Sequence, residues 1–169
     1  MKKIFLLFAI FLAFAGCSYK FNGASIPVNM KTINVRFFEN VAPLVVPTLA
    51  QSFTEALKER IRTQSRLSIT QNEADATMEG RITAYSITPI AFGDNNRPTA
   101  GGNRLSITVE VTYTNNLDTG KVKSSFKESF TQFQDFTLTG SLQSQEPALI
   151  KEVNNKLTEN IFNRAFAQW

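Results

Sequence analysis

A chain of 169 residues with 18 Lys+Arg, 14 Asp+Glu, a single cysteine and no histidine has few chemistries open to it. Without imidazole there is no Ser-His-Asp or Cys-His machinery and no ordinary zinc or iron ligand set, which leaves carboxylates or a Ser-Lys pair for catalysis. The charges are interspersed rather than gathered into a basic stripe, so no nucleic-acid partner is implied.

The N-terminus reads MKKIFLLFAIFLAFAGCSYKF. Lys2 and Lys3 form a basic start, and the apolar run Ile4–Ala15 has the length of a secretory leader core, short of the roughly 20 residues that a spanning helix needs. Residues 1–16 are therefore expected to be a signal peptide. Its removal lowers the balance to 16 Lys+Arg against 14 Asp+Glu, a net charge of about +2. A lone cysteine in an exported chain cannot form an internal disulfide, and Cys17 falls just past the small pair Ala15-Gly16. Phe14-Ala15-Gly16-Cys17 resembles a bacterial lipobox, with Phe where such boxes usually carry Leu. The resemblance implies that Cys17 is lipidated, by a diacylglyceryl group and an N-acyl chain. No other cofactor and no metal site is expected. Two or more acyl chains anchor a protein stably where one binds only marginally. Ser18-Tyr19-Lys20 lack the Asp that retains many lipoproteins at an inner membrane, and no acidic run follows. By resemblance to Gram-negative sorting rules, the destination is the outer membrane, on its periplasmic side.

Residues 17–30 read as a lipidated tether, and 31–169 as a single domain with enough chain for a real core. Lys31–Phe37 alternates, with Ile33, Val35 and Phe37 on one face, as in a half-buried strand. Glu39–Val46 is a connection broken by Pro43. Pro47 and Thr48, with Gln51 three residues on, resemble a helix entry with a capping box. Leu49, Phe53, Leu57 and Ile61 then recur at helical spacing. Leu67–Gln71 is a short strand. In Ala76–Ile90 the even positions Ala76, Met78, Gly80, Ile82 and Ala84 are expected to face inward. Gly93–Asn103 is a Gly-rich hairpin tip. Leu105–Tyr113 alternates most cleanly, apolar against Ser, Thr and Glu, as in an antiparallel sheet covered on one side.

Asn115–Gly120 supplies the positive-φ residues of a hairpin turn, a better account of Asp118-Thr119-Gly120 than the aspartic-protease triplet it spells. Asp94-Asn95-Asn96 lacks the glutamate a calcium loop would need. Val122–Gln134 pairs back as the next strand. Phe126, Phe130, Phe133 and Phe136 break its alternation, which points to a bulge, and serve either as core or as an exposed aromatic patch. Ser144–Phe166 is a long amphipathic helix with the stripe Ile150, Val153, Leu157, Ile161 and Ala165, and Trp169 is expected to plug the sheet edge. The order β-α-β-β-β-β-α predicts an α+β fold. It is a two-layer sandwich, with a mostly antiparallel four- to five-stranded sheet and two amphipathic helices on one face. The first strand, helix and second strand are placed to form a parallel crossover.

An ordered set of fragments carries a family resemblance. It runs from Gly23-Ala24-Ser25-Ile26-Pro27 and Val35-Arg36-Phe37-Phe38-Glu39-Asn40 through Ala42-Pro43-Leu44-Val45 and Phe53-Thr54-Glu55-Ala56-Leu57-Lys58. It continues with Glu79-Gly80, Tyr85-Ser86-Ile87-Thr88-Pro89 and Asn103–Val109, and closes on Ile161-Phe162-Asn163, Ala165-Phe166 and Trp169. With these fragments the chain resembles the lipopolysaccharide-assembly lipoprotein family (LptE-like) in its Bacteroidetes-type form. The resemblance implies a non-enzymatic protein, lipid-anchored at the outer membrane. Its partner would be a large β-barrel translocon that it helps to assemble and to deliver lipopolysaccharide to the cell surface. Arg81, Arg97 and Arg104, near the Gly-rich loop, are candidates to meet lipid A phosphates, so that lipopolysaccharide itself is a possible partner. Two rivals stay open. One is a lipoprotein binding a glycan or lipid in an apolar pocket between sheet and helices. The other is a glycan hydrolase using two of Glu79, Glu110 and Glu128.

Overall fold

The computed structural model of the chain describes residues 26–92, 99–117 and 125–167. Six strands form one sheet: β1 (Thr32–Val35), β2 (Glu39–Asn40), β3 (Ser68–Ile69), β4 (Ala76–Phe92), β5 (Thr99–Asn115) and β6 (Phe126–Thr137). Among the described residues two helices accompany them, α1 (Leu49–Gln64) between β2 and β3, and α2 (Leu142–Phe166) after β6. The strand order is β3-β1-β4-β5-β6, with β2 also paired to β4. The expected α+β layering is present, with a mixed sheet. β1 runs parallel to both β3 and β4, and β2 parallel to β4, while β4-β5-β6 is antiparallel. The parallel β1–β3 pair spans α1, the crossover foreseen from the element order.

The helices form because each has one apolar stripe. Leu49, Phe53, Leu57 and Ile61 are all fully buried on α1, and Ile150, Val153, Leu157 and Ile161 are buried on α2. They close over the inner sheet face of Ile33, Val35, Met78, Ile82, Leu105, Ile107, Val109 and Val111. At roughly 1.5–3 kcal/mol for each large apolar side chain, this interface dominates the stability of the domain. Aromatic edges lock its ends. Phe38 meets Phe53 at 5.0 Å, and Tyr113 meets Phe126 at 5.5 Å and Phe166 at 5.7 Å.

Several local expectations change. The Thr48 side chain makes no cap hydrogen bond, so the capping box of α1 does not form; α2 starts at Leu142, two residues before the expected Ser144, with Ser141 as its cap accepting from the Ser144 amide. Phe37 does not join Ile33 and Val35. The chain leaves β1 after Val35, and Phe38 turns inward, its amide donating to Thr54 Oγ1 at 3.1 Å. On β4 a register shift between Ile82 and Ala84 inverts the alternation, so Ala84 is exposed and Tyr85 is buried, donating to Glu146 Oε1 at 2.6 Å. The expected loop at 93–103 is shorter, because β5 already begins at Thr99. β6 has no bulge. It pairs with β5 without a shift, so Phe126, Phe130 and Phe136 face the helices and Phe133 faces the open side. Met30, placed in the tether, is a core residue. The remainder of the Asn/Asp/Gly turn, Asp94–Asn96 and the Trp169 plug lie outside the described residues.

Candidate interaction surface

The domain has two poles. β1, β3 and β4 start at one of them, β5 ends there, and both helices finish there. The chain enters at this pole and is held. The Arg66 guanidinium donates to the carbonyls of Ile26 and Pro27, both at 2.9 Å, and the Tyr113 hydroxyl reaches Met30 Sδ at 3.7 Å. Asp75 Oδ2 accepts from the Lys31 amide (2.8 Å), the Thr32 amide (2.9 Å) and Thr32 Oγ1 (3.0 Å). Those donors, the Lys31 amide first, hold the Asp75 carboxyl below the usual carboxylate range. A depressed carboxyl stabilises the fold above its unfolded value of about 4, and that contribution is lost as pH falls through its folded value. Asp75→Asn is therefore expected to melt lower at neutral pH and to lose less on acidification. Thermal melts across the acid range check this. Cys17 lies outside the described residues. It stands nine residues before Ile26, a separation that extended chain spans with at most ~30 Å.

The sheet face away from the helices carries Ser and Thr, including Thr77, Ser106, Thr108, Thr112 and Thr131, interrupted by ion pairs. Arg36 pairs with Glu79 at 2.6 Å, and Glu110 accepts from Arg81 at 3.1 Å with Lys127 at 3.5 Å. Arg104 holds Asp135 through two parallel bonds of 2.7 and 2.8 Å while its guanidinium stacks 3.8 Å above the Phe133 ring. The pairing raises Arg104 and lowers Asp135 from their ordinary values. These exposed pairs neutralise the face rather than stabilise it much.

Arg81 and Arg104 are not brought together. Arg81 lies opposite Glu110, six residues along β5 from Arg104, or ~20 Å at strand rise. Each guanidinium already meets a carboxylate, and Arg97 lies outside the described residues. The three glutamates are likewise split. Glu79 and Glu110 lie on the open face, whereas Glu128 lies on the helix side of β6, held by Arg164 at 2.6 Å. Among the described residues there is no cluster of metal-ligating side chains, and no helix is long and apolar enough to cross a membrane.

Two surfaces escaped the sequence. At the pole opposite the chain's entry, the segment from β2 to α1 exposes Val41, Leu44 and Val45, with Leu138 also exposed after β6. Phe37, 59% exposed, flanks the ion pairs of the open face. Within the run Val41–Pro47, Leu44–Val46 is bracketed by Pro43 and Pro47 and shows no helical or strand period, the available signal that its apolar residues do not share one inner face; Ala42 and Val46 turn to the core while Val41, Leu44 and Val45 stay out.

The model of the lipopolysaccharide-assembly family (LptE) matches residues 30–165. The chain belongs to the LptE family. No curated protein matches it. Among solved structures it is similar to a minor lipoprotein from Acinetobacter baumannii, at 14% identity over 80% of this chain and 91% of that one, with a TM-score of 0.51. It is also similar to the hypothetical protein CT253 from Chlamydia trachomatis, at 9% identity over 82% and 99%, with a TM-score of 0.57. At such identities the likeness concerns the fold, which is that of an LptE-family domain. Family membership gives the chain a role in lipopolysaccharide assembly.

Proposed function

We propose that this LptE-family chain is a non-enzymatic, lipid-anchored subunit of an outer-membrane lipopolysaccharide translocon, held by Cys17 on the periplasmic side and seated against a large β-barrel. The observation that carries the reading is the open sheet face. Its hydroxyl side chains and internally neutralised charges match the polar lumen of a barrel, where an apolar face would not fit and a strongly charged one would need counter-charges. Entry of the tether at one pole supports it too, since the whole domain then extends away from the anchor. Purifying the native lipoprotein in mild detergent is expected to bring down a large β-barrel in stoichiometric amount, identified by mass. Migration alone at native expression would refute the proposal.

A second reading, a lipoprotein that holds a glycan or lipid, is favoured by one feature. A groove of about 440 Å³ runs between the two helices rather than between helices and sheet, lined by Ser52, Ala56, Arg60, Ile150, Asn154 and Thr158. Buried Asn154 donates to Ser52 Oγ at 3.2 Å, but its Oδ1 has no partner.

A further inference from the structure

The two helices do not close on each other along their whole length. α1 presents the small residues Ser52 and Ala56 to α2, and between these and Ile150 the groove of about 440 Å³ stays open. One buried group in its wall has no partner. Asn154 is 2% exposed and its Nδ2 donates to Ser52 Oγ at 3.2 Å, while Ser52 Oγ itself donates to the Leu49 carbonyl at 3.0 Å. The serine hydroxyl therefore accepts from the amide, which fixes the amide's orientation and leaves Asn154 Oδ1 unbonded. Buried acceptors rarely stay empty in a folded protein, and this one borders a groove. Two cations stand beside it. Arg60 is already ordered, its Nε donating to Thr158 Oγ1 and its Nη2 to the Asn155 carbonyl, both at 3.0 Å, and its Nη1 has no partner among the described residues. Lys151 lies about one helical turn before Asn155, is exposed, lines the same groove and makes no ion pair among the described residues. Glu59, also in the lining, is paired with Arg62 at 2.7 Å, so the groove keeps a positive character.

We propose that this groove receives an extended, acidic segment of the barrel partner's polypeptide. The chemistry of the lining selects that occupant. It has to bring an anion for Arg60 and Lys151, a donor for Asn154 Oδ1, and apolar atoms for Ala56 and Ile150. An acyl chain brings neither anion nor donor. A neutral glycan brings donors without the charge, and a phosphate brings charge without a donor. A peptide carrying Asp or Glu brings the carboxylate, the backbone N–H beside it and the aliphatic carbons together. Bonds from a guanidinium or ammonium to a carboxylate are about twice as strong as neutral ones, and Arg60, held by Thr158 and Asn155, has little side-chain freedom left to lose. Ser52 and Arg60 are eight residues apart on α1, or ~12 Å, a length that about four extended residues span. This inference rests on the translocon reading for the identity of the partner. It adds the helical side of the domain to the open sheet face as a contact surface.

The test uses the native lipoprotein purified in mild detergent together with its barrel. A carbodiimide couples an amine to a carboxylate with no spacer, so it acts where the two already touch. It is expected to join Lys151 Nζ to an Asp or Glu of the barrel chain, located by mass spectrometry of the digested complex. Lys151→Arg keeps the charge but removes the amine, and should retain the barrel while losing the link. Lys151→Glu sets a carboxylate against the incoming one, and should cut the barrel recovered after extended washing by roughly tenfold. Lys151 is exposed, so both variants are expected to keep the parent's thermal midpoint. Recovery of the barrel with no link at Lys151, or in equal yield from Lys151→Glu, overturns the inference and leaves the translocon reading standing. A link from Lys151 to a lipopolysaccharide headgroup in place of the barrel chain also overturns it, because the groove then belongs to a ligand and not to the partner. If the parent brings down no barrel, the translocon reading and this inference fall together.

Discussion

Gly80→Ala is expected to destabilise the domain by about 3 kcal/mol or more, among the largest effects of any single substitution. A Cβ built on Gly80 would stand 2.0 Å from the Glu110 carbonyl oxygen and 2.7 Å from Phe38 Cε1. The first neighbour is backbone in the central strand β5, held on both sides by β4 and β6, so it cannot swing aside. The second is a fully buried ring pressed against Phe53, and its own amide is fixed to Thr54. Relief would require the β4–β5 ladder to part or Phe38 to leave the core. Either loses contacts that α1 needs in order to dock. Gly101→Ala is the matched control. Its Cβ meets nothing within 4 Å, so its effect should stay within about 0.5 kcal/mol. Urea unfolding of both variants decides the point, and equal midpoints would remove Gly80 as a packing constraint.

The same region shows why some of the fold was legible in the sequence and some was not. Leu49, Phe53, Leu57 and Ile61 declare a helix because a single period of about four residues carries the whole face, and every one of them is buried. Leu105–Tyr113 declares a strand for the same reason at period two. Phe37 and Phe38 defeat such counting. Both are large and apolar, and the chain bends between β1 and β2, so the hydrogen bond to Thr54 on a distant helix decides which ring turns in. The shift after Ile82 is similarly silent, since Thr83 and Ala84 fit either face and only the pairing with Val109 and Thr108 reveals the extra residue. In β6, odd spacings among the phenylalanines were legible, but they reflected one ring on the open face rather than a bulge. The surface was harder still. Arg81 and Arg104 stand out as cations in the sequence, yet their carboxylate partners come from neighbouring strands and become visible only with the register. Thr131 and its neighbours carry no signal of an edge until the strand order shows which strand comes last.

Cys17→Ala should abolish incorporation of labelled palmitate, and in cells depleted of the barrel partner it should move the protein from the membrane fraction to the soluble one. Each buried methylene contributes about 0.8 kcal/mol to membrane binding, and a single chain holds a protein only reversibly. Removing every acyl chain at once therefore leaves no graded remainder. The domain supplies no substitute, since no described helix can span a bilayer and the open sheet face is hydroxyl-rich and charge-paired. Val41, Leu44 and Val45 are exposed, but they are too few to replace it. Folding, by contrast, should be untouched. Arg66 and Asp75 fix the chain from Ile26 onward, nine residues beyond the cysteine, so the thermal midpoint of Cys17→Ala should equal that of the delipidated parent. The pairing of these two results separates anchoring from structure. Release with an unchanged midpoint assigns Cys17 to the membrane alone. Palmitate labelling that survives the substitution would place the lipid elsewhere and overturn the lipobox reading.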